Sequence, residues 1–166
     1  MQGIFHPLQT PSHLILILGL GLFLGQQKQL KSLLLLPFAV LAGFTLNYYS
    51  LLDWNTELIL LILALICGLL LVLRLNLPAF VSIVLMVFCG IILGLDSSPV
   101  MIPGLGANSI ISWRLGAAIT INMGLAVLAL LAYFLNCYWN GIILRVAGSW
   151  IATSAIFVLT LMLAGR

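Results

Sequence analysis

The chain has 166 residues, is 64% hydrophobic, and carries six Lys and Arg against three Asp and Glu. So few charges cannot coat a soluble domain of this size, and a mean hydropathy of +1.31 points to lipid as the solvent. The net charge of +3 comes from scattered basic residues, which argues against nucleic acid as a partner and leaves the charges to report topology.

Six apolar stretches divided by short polar punctuation predict an all-α polytopic integral membrane protein, one domain over residues 1–166. The first expected span, 4–25, ends at GQQKQLKS. The segment from His13 to Gly25 is too short to cross a hydrocarbon core of roughly 30 Å. The span therefore borrows residues back to about position 4, which brings His6 and His13 into the depth of the membrane. If that helix is continuous, the two histidines, seven positions apart, share one face. Alternatively Thr10-Pro11 forms an N-cap and first helical position, and His6 sits on a preceding turn. No basic leader precedes the apolar run, so a cleaved signal is not expected.

The second span is expected at 32–51, ending at LDWNTE, and the third at 56–73, stopping at RLNLP. Pro78 opens the fourth, 78–96, and a Pro- and Gly-rich loop follows. The fifth covers 110–135, and NCYWNG turns it into the sixth, 142–164. Side A denotes the side of the N-terminus. Side B then holds Lys28, Lys31, Arg74 and Arg145, while side A holds Arg114 and Arg166. This asymmetry makes side B cytoplasmic and turns both termini outward. Trp54 and Trp113 suit the side A interface, and Tyr138 and Trp139 suit side B.

Cys67, Cys89 and Cys137 form no CxxC and no even framework, so disulfides are not expected, and each reads first as a small apolar residue. Gly90-xxx-Gly94 and the series Gly19, Gly21, Gly25 read as close helix contacts. Asn47, Asn122 and Thr120 can hydrogen-bond between helices or line a path, and Arg145 extends to the side B interface. No GxxxxGK[ST] loop, internal repeat or nucleophile–base pair stands out, so ATP hydrolysis and enzymatic chemistry are not expected.

Ionisable groups at membrane depth direct attention to function. On the fourth span Cys89, Leu93 and Asp96 fall at i, i+4 and i+7, on one face. Measured up from Gly25 and Leu77, His13 and Cys89 stand at one height, roughly 17–18 Å, and His6 and Asp96 at another, roughly 28 Å. His6, His13, Cys89 and Asp96 thus make a candidate metal-ligand set of imidazole, thiolate and carboxylate. Taken singly, each also reads as an interfacial, loop or packing residue.

The same residues carry a resemblance. His6-Pro7-Leu8-Gln9-Thr10-Pro11-Ser12-His13 is similar to the first-span motif HPxxGxDH of the HupE/UreJ family of small membrane permeases, with Thr10 for glycine and Ser12 for aspartate. Phe88-Cys89-Gly90-Ile91-Ile92-Leu93-Gly94-Leu95-Asp96 resembles the family's FHAxAHGxE, with Cys89 and Leu93 for the histidines and Asp96 for the glutamate. LLLPFAVLAG, TELILLILALICGLLL, WRLGAAITINMG and RVAGSWIA resemble its other spans.

The resemblance implies a nickel- or cobalt-type divalent metal as cargo. Thiolate in place of imidazole shifts preference toward softer ions such as copper or zinc. Ser12 and Leu93 point the other way, toward a scaffold that has lost its ligands. Two functions follow: a metal permease, or a non-transporting accessory subunit of a larger respiratory or photosynthetic membrane complex. Both place the chain in a bilayer, of bacterial inner-membrane or thylakoid type.

Overall fold

Proline and glycine set the helix boundaries. The computed structural model describes residues 10–48, 55–97, 107–139 and 141–165. Among these the regular structure is helical throughout. The elements are α1 (Pro11–Gln26), a 3₁₀ segment (Leu30–Leu35) running into α2 (Leu36–Tyr48), α3 (Thr56–Leu73), α4 (Ala79–Asp96), α5 (Ala107–Tyr138) and α6 (Ile142–Ala164). Five of these spans are long and apolar enough to cross a bilayer, the second counted from Leu30, and α1 is a shorter apolar helix. The chain is an all-α polytopic membrane protein.

Pro11 starts α1, and Thr10 before it is extended, with φ −89° and ψ 114°. The proline ring disfavours helical backbone at the preceding residue. A helix running unbroken from His6 to His13 is thereby ruled out, and the N-cap alternative holds; residues 1–9, His6 included, lie outside the described residues. Pro37 acts similarly on the second span. It has no N–H for the carbonyl four residues back and would crowd it. The chain therefore approaches as a 3₁₀ turn, in which Leu36 N–H donates to Leu33 O. At the far end of the bundle α5 runs to Tyr138 rather than 135, and Gly141, at φ 74°, takes the turn into α6. Arg74, at φ 51°, ends α3 in the left-handed region.

α1 is the hub. It is apolar on all sides, as expected of a helix with no solvent face, and Leu16, Leu20, Phe23 and Leu24 are fully buried. It packs on α3 and α5 and touches α6 and α4, while α2 pairs with α4 and α3 with α6. Lipid tails are as apolar as leucine, so such helices associate by close fit rather than by escape from water. Glycines provide the fit. A Cβ on Gly21 would lie 2.7 Å from Leu128 Cβ, and one on Gly148 2.6 Å from Leu71 Cβ. Gly43 and Gly94 meet where α2 crosses α4, and Gly90 rests on Ala39. The stripe Ile111, Leu115, Ile119, Met123 and Val127 on α5 stays exposed, as does Trp150 on α6. An apolar exterior of this kind fits contact with lipid.

Candidate functional site

Five helix ends meet on side A, and hydrogen bonds between them define the site. His13, in the first turn of α1, is fully buried, and its Nε2 lies 2.6 Å from Oδ2 of Asp96, the last residue of α4. The Thr56 hydroxyl, at the start of α3, donates to the other carboxylate oxygen. Asn47 Nδ2 of α2 donates to Leu95 O at 3.1 Å, and Trp113 Nε1 of α5 donates to Ser97 O at 3.1 Å.

The electrostatics explain the arrangement. Asp96 ends its own helix, where the unpaired carbonyls repel negative charge. Its side chain is 21% exposed, too little for water to solvate it fully. The first turns of α1 and α3, each with positive dipole ends, point toward this carboxylate and offset both costs. With Asp96 ionised, the His13 Nε2–H donates, and the hydrogen bond to a charged acceptor is of the stronger kind. Ser12, fully buried beside His13, has a hydroxyl without a hydrogen-bond partner among the described residues.

The sequence-derived ligand set divides in two. His13 and Asp96 meet, although they had been placed at different heights. The error came from treating the side B ends of the first and fourth spans as level. His13 is 13 residues above the end of α1 and Asp96 is 17 above the start of α4. The two helix ends on side B are therefore offset by about 6 Å along the bundle. Cys89, fully buried in the core two turns before Asp96 on α4, pairs with neither. His6 falls outside the described residues. Leu93 is fully buried between Cys89 and Asp96. Among the described residues no three of His, Cys, Asp and Glu come together as a metal-holding group.

One residue of this neighbourhood was not singled out from the sequence. Thr56 read only as the start of a span, although a hydroxyl at a helix start is a routine capping signal. Of the polar groups expected between helices, Asn47 does bridge α2 and α4, whereas Asn122 Nδ2 donates to Ala118 O and the Thr120 hydroxyl to Gly116 O, within α5.

Side B is closed differently. Gln26 Nε2 donates to Leu71 O at 3.4 Å, Gln27 Nε2 to Leu75 O at 2.5 Å, and Asn136 Nδ2 to Gln26 O at 3.3 Å. Arg145 Nε donates to Val72 O at 3.2 Å from an exposed position, the reach toward the interface expected of a long cationic side chain.

No family model, curated protein or solved structure matches this chain.

Proposed function

We propose that the chain is a HupE/UreJ-like membrane protein that carries a divalent transition-metal cation, with His13 and Asp96 as the ligands retained from the two motifs. The observation that supports this reading is their contact. Residues 83 positions apart, one from each motif-like segment, place an imidazole against a carboxylate inside a bundle otherwise almost devoid of charge. An ionisable pair at such a place is expensive to maintain without a use. The ion enters from side A, replaces the proton held between Nε2 and Oδ2, and leaves toward a cytoplasmic side B. His6, if it also reaches the ion, supplies a further nitrogen ligand.

The test is accumulation of radiolabelled nickel or cobalt by cells expressing the protein, compared with cells carrying His13→Ala or Asp96→Asn. Uptake falls to background in both variants and declines as the external pH drops, because protons compete for the same ligands. Undiminished uptake in both variants rejects the reading.

One observation favours a second function, that of a non-transporting subunit in a larger membrane complex. His13 and Thr56 reach the two oxygens of the Asp96 carboxylate, so this carboxylate is already engaged in the protein alone. Mild detergent extraction discriminates: co-migration with a larger assembly supports the subunit, and migration at the size of the chain alone opposes it.

A further inference from the structure

Arg74 and Arg145 reach toward each other's helix on side B. Arg145, in the first turn of α6, donates its Nε–H to Val72 O near the end of α3 at 3.2 Å. Arg74, the C-cap of α3, lies against the residue that caps α6: a Cβ on Gly141 would stand 3.6 Å from both its Nε and its Cζ. Each arginine therefore sits beside the helix end that carries the other. Lys28 adds a third cation, because its neighbour Gln27 donates to Leu75 O, one residue past Arg74. All three residues are exposed.

Among the described residues no carboxylate balances this cluster. The C-terminus of α3 carries roughly half a negative charge and the N-terminus of α6 beside it roughly half a positive one, so the two dipoles cancel. Asp96 belongs to the side A site, and Glu57 lies in the first turn of α3, about 24 Å along that helix from its end. That distance is well beyond the screening length of about 8 Å. Tyr138 and Trp139, 81% and 61% exposed just before the turn into α6, are amphipathic rings of the kind that settle at headgroup level. The cations thus stand at the depth of lipid phosphates.

We propose that Arg74 and Arg145 bind the phosphate of an anionic phospholipid, with Lys28 at the rim of the site. A guanidinium matches phosphate oxygens through paired N–H···O bonds. With Nε of Arg145 spent on Val72 O, its two Nη groups remain to donate. Choline and ethanolamine headgroups bring a positive charge of their own, so a lipid of net negative charge is selected. The bound phosphate ties α3 to α6, and no covalent bond changes. The site does not depend on the reading of His13 and Asp96.

The experiment uses the full chain, purified in detergent and offered equal amounts of phosphatidylglycerol and phosphatidylcholine with the same acyl chains. Bound lipid is counted by native mass spectrometry. The wild type retains phosphatidylglycerol in preference by roughly tenfold or more, the order that two basic residues contribute at an anionic surface. Arg74→Gln leaves the bond from Arg145 to Val72 in place and still lowers the preference. The Arg74→Gln, Arg145→Gln double variant, checked for an unchanged elution volume, retains the two lipids equally. Inorganic phosphate at millimolar concentration, added to the loaded wild type, displaces none of the lipid. Equal retention of both lipids by the wild type, undiminished preference in the double variant, or displacement by inorganic phosphate overturns the proposal.

Discussion

The two ends of α1 are closed by different chemistry. At its N-terminus a buried imidazole meets a carboxylate, supported by a hydroxyl and two helix N-termini. At its C-terminus neutral amides reach main-chain carbonyls, and Gly25 lets α1 press against Ala129, Ala132 and Tyr133 of α5. The first closure can exchange a proton or a cation and remain polar. The second has nothing to exchange, so it can only hold or open. Of the two ends, only side A carries a titratable pair, while side B holds the helices with neutral hydrogen bonds and close packing.

Substitutions at each end sharpen the contrast. The largest effect is expected from Gly25→Leu. Its Cβ would fall 2.5 Å from Ala132 Cβ and closer still to Ala129 O. Main-chain atoms cannot rotate away, so the cost exceeds the usual overpacking range of about 1–3 kcal/mol. Size-exclusion chromatography should show loss of the monodisperse peak, and an unchanged profile would contradict tight packing at this end.

Asp96→Ala comes next. It leaves the buried imidazole of His13 without the carboxylate and lowers stability by roughly 1–3 kcal/mol, measured as an earlier thermal unfolding transition in detergent. Asp96→Asn keeps the shape and one acceptor oxygen, so it should lose less stability while abolishing metal accumulation. Equal losses in both assays would make the site purely structural.

Thr56→Val removes one hydroxyl at nearly constant volume and should cost about 0.5–1.5 kcal/mol in the same unfolding assay. Asn136→Ala, at the amide end, should cost least, about 0.6 kcal/mol, the typical value for a side-chain hydrogen bond between helices in a membrane. If Asn136→Ala proved more damaging than Asp96→Ala, the assignment of roles to the two ends would be reversed.

The apolar helices were legible because they rest on local quantities. The helices at 56–73 and 142–164 agree with the boundaries expected from apolar length and polar punctuation, and the fourth begins one residue later than expected. The 3₁₀ approach to Pro37 and the extended Thr10 also follow from one residue each, through the missing N–H and the steric demand of proline. The extra turn of α5 through Asn136 was less visible. Asparagine there reads as a helix terminator, and only the carbonyl of Gln26 on another helix gives its amide a reason to stay.

Apolar length and the scarcity of charge by themselves determined that this chain is a bundle of membrane helices, and they marked His13 and Asp96 as costly residues that need a reason to be there. Tertiary structure decided which costly residue meets which: His13 with Asp96. The physical reason is that helical periodicity records faces but not offsets. An offset of about 6 Å between the side B ends of α1 and α4 brings His13 to Asp96, and no periodicity along a single helix records it.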